Sequence, residues 1–149
     1  DCILGHGKRA FKNYKNYLPA TYNKMAEVRQ IEPYVYAQTT CSTYNMRAGQ
    51  RRCPWLSGTA SWAYFTAAQY ILGIRPDYDG LMIDPCIPNW KGFTATRRFR
   101  GKNVNITVKN PNKVEKGVVS ITLNGKEIVG NVVPFDKMKK ENEVVVIMG

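Results

Sequence analysis

Residues 119–128 read VSITLNGKEI, and this stretch decides the fold of the second half of the chain. Its first five residues alternate apolar and polar side chains, which is the period of a strand that buries one face. Asn124 and Gly125 follow, a pair that accepts the positive φ angles of a tight two-residue turn, and the chain then returns through Ile128. The stretch therefore predicts a β-hairpin.

The period of two extends outward from this hairpin along the chain. Upstream it covers residues 81–83 and 104–108, and downstream residues 144–147 form a solid apolar run, typical of a strand buried on both faces. No helical pattern interrupts these segments, which favours an antiparallel β-sandwich. The change of period places the boundary with the first half of the chain between about residues 76 and 90.

The first half of the chain favours helices joined by irregular segments. Apolar residues recur at helical spacing from Lys8 to Tyr17, and Pro19 ends this predicted helix. A second helix is predicted from Ala60 to Leu72. Its apolar surface extends nearly all round, so we expect it to be largely buried. The predicted fold class of the whole chain is therefore α+β.

Two further features complete this first half. Gly73 follows the second predicted helix as a left-handed cap. Residues 39–54 carry Thr, Ser, Asn, Gly and three Arg, and they predict a long loop. Long loops within compact domains are often functional.

The composition is that of a basic globular protein. The 149 residues include 22 Lys and Arg against 11 Asp and Glu, which gives a formal net charge of +11. An apolar share of 44% excludes the disordered and collagen-like classes. No run approaches the ~18 uncharged apolar residues of a membrane span, so we expect no membrane partner.

The positive charge is spread along the chain. Ten basic residues lie in residues 1–90 and twelve in residues 91–149, without a zinc-finger spacing, a ribonucleoprotein motif or a basic heptad. We therefore expect no nucleic-acid partner, although a basic nucleic-acid-associated protein stays the alternative. A solvated basic surface or sites for small anions explain the charge more simply.

The cysteines indicate a reducing compartment. Four cysteines in this length are sparse for a disulfide-stapled domain, and none forms a Cys-x-x-Cys pair. The single histidine is His6, so we predict no metal site and a cytoplasmic location. The four thiols are expected to be free: Cys2, Cys41, Cys53 and Cys86.

The segment before the second predicted helix offers the hydrogen-bond donors of a phosphate site. It consists of Ser57, Gly58 and Thr59. The first N–H groups of a helix lack partners and carry partial positive charge. Gly58 allows a ligand close to the backbone, and the two flanking hydroxyls can donate. The alternative is an ordinary helix N-cap, which the same three residues would also form.

Five blocks of sequence carry a resemblance to a known family. In chain order they are Glu32–Gln38, Trp55–Trp62, Ile71–Leu81, Ile83–Pro88 and Arg97–Gly101. They resemble the C-terminal part of the family 94 glycoside hydrolases, which are the cellobiose, cellodextrin and chitobiose phosphorylases. The resemblance covers almost the whole chain, and we expect the cellobiose enzymes to be the most similar.

The resemblance implies a reaction and an architecture. Such enzymes cleave a β-linked disaccharide with inorganic phosphate and invert the anomeric carbon, as from cellobiose and phosphate to α-glucose-1-phosphate and glucose. Phosphate is a co-substrate, no cofactor is implied, and a homodimer is expected of the full-length enzyme. Residues 1–80 would be the C-terminal part of the (α/α)6 catalytic barrel and residues 81–149 the C-terminal β-sandwich.

The resemblance also assigns site residues. The phosphate-binding positions of the family that fall in this chain are Gln38, Ser57 and Gly58. The general acid is an Asp outside this chain, so we expect no catalytic residue here and no activity of the chain alone. Because phosphate is the nucleophile, Glu32 and Asp84 need not be catalytic.

Two structural roles and one alternative function complete these expectations. Glu32 is expected to pin a helix end or to bond buried backbone, and Asp84 to order the domain junction. The alternative function is a non-catalytic β-sandwich module that binds carbohydrate or protein. Retention of the three phosphate positions favours the phosphorylase.

Overall fold

The computed structural model describes every residue from Asp1 to Gly149, and the chain divides into two compact units. We call Lys12–Thr66 the hairpin unit, and Asp1–Phe11 together with Ala67–Gly149 the sheet unit. No helix in either unit is long and apolar enough to cross a membrane. The domain boundary expected after residue 80 refers to the architecture of a longer enzyme and stays a prediction.

The hairpin unit contains short helices and one pair of strands. In chain order they are α1 (Gly7–Tyr17, which begins in the sheet unit), a 3₁₀ helix (Pro19–Met25), α2 (Ala26–Arg29), β1 (Ala37–Thr40), β2 (Arg51–Pro54) and α3 (Thr59–Phe65). The helix predicted from Lys8 to Tyr17 is confirmed. It ends before Pro19, which lies in the first turn of the 3₁₀ helix, where a missing N–H costs nothing.

The long loop predicted over residues 39–54 is confirmed for residues 41–50 and wrong at its two ends, which belong to the strands of a β-hairpin. β1 and β2 pair antiparallel, with Thr39 opposite Arg52. The N–H of Cys41 bonds the Gln50 carbonyl at 2.9 Å and closes the turn. The Ser, Asn and Gly residues that indicated a loop lie in this turn, whereas Thr39 and Thr40 lie on β1, exposed, and Arg51 and Arg52 lie on β2, half-buried.

The second predicted helix is present, but its form and its burial differ from the prediction. α3 continues as a π-helix, Thr66–Ile71, in which the N–H of Leu72 reaches back five residues to the Ala67 carbonyl. Trp62 and Tyr64 are 69% and 67% exposed, so the expectation of a largely buried helix is wrong. Their apolar side chains have no covering element within this chain.

The sheet unit contains eight strands in two sheets. They are β3 (Ile74–Pro76), β4 (Gly80–Ile83), β5 (Gly92–Phe99), β6 (Lys102–Lys109), β7 (Val118–Leu123), β8 (Lys126–Ile128), β9 (Val132–Pro134) and β10 (Glu141–Met148). One sheet has the order β3-β4-β9 and the other β5-β6-β10-β7-β8. This arrangement is consistent with a β-sandwich, and the α+β class is confirmed. The (α/α)6 barrel stays a prediction.

The turn between β7 and β8 is the predicted one. Asn124 has φ 51° and Gly125 has φ 80°, which are the two positive angles of a tight hairpin turn. The expectation of purely antiparallel pairing is wrong at one place, because β10 runs parallel to β6, with Val144 opposite Ile106. β10 is the central strand, so its backbone groups bond neighbours on both sides.

The core of the sheet unit is formed by alternate residues of these strands. Val144 and Val146 on β10 are buried, while Val145 and Ile147 are half-buried, so this strand is not fully buried on both faces as expected. The fully buried apolar side chains include Leu81, Ile83, Ile106, Ile121 and Val133. Burial of such side chains contributes roughly 1.5–3 kcal/mol each.

Gly73 has the left-handed conformation predicted for it, with φ 67°. A Cβ at this position would lie 2.1 Å from the Asp84 carbonyl oxygen, so no other residue fits. The N–H of Asp84 donates to the Gly73 carbonyl at 2.9 Å. The end of the π-helix is thereby fixed against the segment that follows β4.

Candidate functional site

Ser57 lies in the hairpin unit, on the wall of a small aromatic cleft. The cleft has a volume of about 150 Å³ and is lined by Tyr34, Val35, Tyr36, Trp55, Ser57 and Ala60. We call this group of residues the aromatic cleft. One wall is formed by residues 34–36, which precede β1. The other is formed by residues between 55 and 60, which connect β2 to α3 and begin α3.

The hydroxyl of Ser57 is partly engaged with the backbone. Its Oγ accepts a hydrogen bond from the N–H of Thr59 at 3.3 Å, which is the local contact of a helix start. The O–H of Ser57 remains available to donate, and the side chain is half-buried. The N-cap residue of α3 is Gly58, without a side-chain cap bond, so the N-cap alternative does not describe Ser57; its bond to Thr59 is a local serine turn, and a ligand contact is compatible with it.

Gly58 follows Ser57 and is exposed at the start of α3. Its φ of −72° and ψ of 1° are open to any residue. A Cβ there would meet Cδ1 of Trp62 at 3.5 Å, an ordinary van der Waals distance. The fold thus does not require glycine here, and a substitution by alanine can report on close approach of a ligand.

Gln38 lies on β1, exposed, with Ala37 and Thr39 beside it paired to β2. Ser57 and Gly58 are adjacent in the sequence and therefore lie together. No hydrogen bond joins Gln38 to either of them. Phosphate binding by these three residues stays a prediction.

The segment that leads into Ser57 has an unusual backbone. Cys53 has φ 53° and Trp55 has φ 67°, both left-handed, on either side of Pro54. Such conformations cost on the order of 1–3 kcal/mol each in non-glycine residues and cluster at functional sites. Residue composition gave no signal of these two angles.

Trp55 is fixed in this conformation by two contacts. Its indole Nε1–H donates to Oε1 of Glu32 at 3.1 Å, and its ring lies edge-on to Tyr34 with centroids 6.1 Å apart. This hydrogen bond lowers the pKa of the Glu32 carboxyl. The expectation that Glu32 pins a helix end or bonds buried backbone is wrong, because its partner is a side chain of the aromatic cleft.

Tyr36 also lines the aromatic cleft. Burial, followed by the neighbouring Tyr14 and Tyr17, raises the pKa of Tyr36 to about 12. The rings of Tyr36 and Tyr17 lie 6.3 Å apart. At neutral pH Tyr36 is therefore protonated, and its hydroxyl is hydrogen-bonded with Tyr14.

Arg29 supports the same wall of the cleft, and sequence reasoning missed it. It is 1% exposed, and its guanidinium donates to the carbonyls of Pro19 at 3.3 Å, Pro33 at 3.3 Å and Val35 at 3.1 Å. Burial, followed by the nearby Arg51, lowers its pKa. An arginine at the end of a four-residue helix that also contains Glu27 gives no sequence signal of such burial.

The charges of the hairpin unit favour anions. It contains seven Lys and Arg against two Glu, and the three salt bridges of the chain all lie in the sheet unit. Arg51 stacks over the Tyr22 ring, with 4.5 Å from its guanidinium carbon to the ring centroid. The positive charge of this unit is therefore not neutralised by its own acids.

Asp84 belongs to the sheet unit and has a defined partner. Its Oδ2 lies 2.7 Å from Nζ of Lys116, and both side chains are half-buried. This pair joins the segment after β4 to the one before β7, which fits the ordering role expected of Asp84. The four cysteines are free thiols, as expected.

Comparison with known proteins relates this chain to carbohydrate-active enzymes. Residues 1–73 match the glycosyl hydrolase 94 superfamily, catalytic domain. The matched residues are 73 of the 149 residues of the chain. The resemblance inferred from the five sequence blocks is thereby confirmed, and the aromatic cleft and all three predicted phosphate positions lie within the matched residues.

Individual relatives extend the similarity over nearly the whole chain. It is 45% identical to an N,N'-diacetylchitobiose phosphorylase of Vibrio proteolyticus and 42% identical to one of Vibrio furnissii, each over 98% of this chain. It is 36% identical to a solabiose phosphorylase of Paenibacillus borealis over 91% of this chain. The chain spans 18% of the length of each of these relatives.

Proposed function

We propose that this chain is the C-terminal portion of an inverting disaccharide phosphorylase, in which it supplies part of the phosphate site. The observation that carries the proposal is the position of Ser57: it lines the aromatic cleft of the matched region and keeps a free hydroxyl donor. The three relatives that match at least 91% of this chain with 36% to 45% identity are named as phosphorylases.

The chemistry of the proposed reaction explains why this chain would supply phosphate contacts and another part of the enzyme the general acid. Phosphate attacks the anomeric carbon from one face while a general acid protonates the leaving oxygen on the other. The attacking dianion must leave water and still be held, which requires several charge-assisted donors around it. Ser57, the open backbone at Gly58 and Gln38 would supply such donors. The acid would come from a part of the enzyme outside this chain.

The substrate is proposed to be a β-linked disaccharide. We expected cellobiose from the sequence blocks, but the identities of 45% and 42% to enzymes named for N,N'-diacetylchitobiose favour the acetylated disaccharide. An amphipathic cleft with Tyr34 and Trp55 suits a sugar ring, because aromatic faces pack against the C–H groups of sugars. The expected homodimer and cytoplasmic location belong to the same proposal.

A hybrid enzyme tests this function directly. The matching 147 residues of the Vibrio proteolyticus enzyme would be replaced by this chain, and release of sugar-1-phosphate from N,N'-diacetylchitobiose and phosphate would be measured. We expect the hybrid to be active and the separate 149-residue chain to be inactive. A hybrid carrying the Vibrio furnissii segment is the positive control.

Two results would count against the proposal. The first is a folded but inactive hybrid beside an active control, which would favour the alternative of a non-catalytic binding module. The second is phosphorolysis by the 149-residue chain alone, since that would mean that the acid lies within it.

A further inference from the structure

The sheet unit contains a polar cavity that shares no residue with the aromatic cleft. Its volume is about 240 Å³, and it is lined by Cys2, Ile3, Gln69, Tyr70, Arg75, Asp84 and Lys116. At about 30 Å³ per liquid water, it has room for on the order of eight waters. That space accommodates an inorganic oxyanion or a small organic ester.

Arg75 is the cation of this cavity that lacks an acidic partner. It lies on β3, and its Nε–H donates to Sδ of Met82 on β4 at 3.0 Å. A thioether is a weak acceptor, and Arg75 is absent from the three salt bridges of the chain. Its guanidinium carbon lies 6.0 Å from the Tyr70 ring centroid, which orients the group without neutralising it. The planar fork of an arginine is suited to two oxygens of one anion.

The remaining groups of the cavity leave it positively charged. Lys116 is paired with Asp84 at 2.7 Å, so the positive charge of Arg75 is left over. Burial raises the pKa of the neighbouring Cys86 thiol to about 11. The ammonium of Lys116 has three N–H groups and can serve a ligand in addition to Asp84.

We propose that this cavity binds a phosphate group, held by the guanidinium of Arg75 with the ammonium of Lys116. The two cations come from different elements, so a ligand needs acceptor oxygens on more than one side, which a tetrahedral phosphate has and a planar carboxylate lacks. The phosphate group is that of inorganic phosphate or of a phosphate monoester. The site is independent of the proposed function, because it uses no residue of the aromatic cleft.

The test is calorimetric titration of the 149-residue chain in phosphate-free buffer at low salt. The probes are inorganic phosphate, α-glucose-1-phosphate and acetate. We expect one of the two phosphates to bind at least about tenfold more tightly than acetate, and the tighter of the two identifies the source. Equal binding of acetate overturns the proposal.

Four variants locate the binding. Arg75→Gln should weaken phosphate binding by about tenfold or more, the loss of a charge-assisted contact. Arg98→Gln, which makes the same charge change at an exposed position of β5, should leave the affinity nearly unchanged. Ser57→Ala should also leave it unchanged, which separates this site from the proposed phosphorylase site.

The fourth variant is expected to change the phosphate affinity in the opposite direction, and it stays informative if Arg75→Gln does not fold. Asp84→Asn keeps an acceptor for Lys116 and removes the only negative charge of the cavity, so it should tighten phosphate binding by roughly threefold or more. The proposal is overturned if Asp84→Asn binds phosphate more weakly than, or as tightly as, the parent chain. It is also overturned if Arg98→Gln lowers the phosphate affinity as much as Arg75→Gln does.

Discussion

The indole N–H of Trp55 donates a hydrogen bond to the Glu32 carboxylate at 3.1 Å, between residues 23 positions apart in the chain. The two residues belong to two of the five sequence blocks that carry the family resemblance. Trp55 has a left-handed backbone, and Ser57 follows two residues later. The position of Ser57 therefore depends on a contact that links the two walls of the aromatic cleft.

The first prediction concerns the pH dependence of this bond. The folded pKa of Glu32 lies below the ordinary 4.5, so its stabilising effect is complete above about pH 4.5 and is lost as the pH falls through the folded pKa. The indole N–H resonance of Trp55, followed by NMR from pH 7 to pH 3, should shift with a midpoint below 4.5. Glu32→Gln should abolish that titration. A midpoint at or above the ordinary value would show that the bond does not form.

The second prediction concerns Arg29, whose guanidinium serves three backbone carbonyls. Arg29→Ala removes these charge-assisted bonds and leaves the acceptors unpaired in the interior, so it should lower the free energy of unfolding by roughly 3 kcal/mol or more. Arg47→Ala, at an exposed turn position, is the control. Urea denaturation followed by circular dichroism measures both. A change in Arg29→Ala no larger than that of the control would contradict the role.

The fold of the sheet unit was largely predictable, and the reason is local. Asn124 and Gly125 determine their turn by their own tolerance of positive φ, and Gly73 caps its helix for the same reason. Apolar patterns and the hairpin turn indicated β4, β6, β7, β8 and β10, whereas β3, β5 and β9 were not predicted. The parallel pairing of β10 with β6 was not predictable, because alternation determines which face is buried and not which neighbour a strand takes.

The candidate site was predictable only in part. Ser57 and Gly58 were found from the chemistry of a helix start and from family resemblance. Arg29 was missed because its burial is a property of the folded unit and not of neighbouring residues. The exposure of Trp62 was not predicted. An apolar helix surface favours burial, but the sequence pattern does not indicate whether another element of the chain covers that surface.

The third prediction concerns thiol reactivity. Burial, followed by the neighbouring Cys2, raises the pKa of Cys86 from 9.0 to about 11, so its thiolate is about a hundredfold rarer than that of an ordinary thiol. Cys53 is exposed. Maleimide labelling of the native chain at pH 7.5, read by mass spectrometry, should modify Cys53 first and Cys86 only after denaturation.

Its control is Cys53→Ser, which should remove the fast phase and leave the rate at Cys86 unchanged. Labelling of Cys86 in the native chain as fast as that of Cys53 would be the contrary result.

The fourth prediction concerns Gly58 and Gln38 in the active hybrid enzyme. The backbone angles of Gly58 suit any residue, and a Cβ there makes only an ordinary contact with Trp62, so Gly58→Ala should fold normally. It should nevertheless raise the apparent phosphate constant, because the Cβ obstructs approach to the backbone, and Gly58→Val should raise it further. Gln38→Ala should resemble Gly58→Ala if both residues touch the anion, with Thr39→Ala as the control. Phosphate constants equal to those of the parent hybrid would remove both residues from the site.

Whether Ser57 contacts the phosphate of a phosphorylase is tested most directly in the hybrid enzyme. The measurement is the rate of disaccharide cleavage as a function of phosphate concentration at saturating disaccharide. Ser57→Ala should raise the apparent phosphate constant about ten- to a hundredfold, the loss of one hydrogen bond to a charged group, and leave the disaccharide constant nearly unchanged. Ser57→Thr, which keeps the hydroxyl, should remain close to the parent, and Ser61→Ala, whose hydroxyl bonds the Gly58 carbonyl, is the matched control. If Ser57→Ala changes only the disaccharide constant, or changes the phosphate constant no more than Ser61→Ala does, Ser57 is a sugar contact or only a local turn residue, and it does not bind the phosphate.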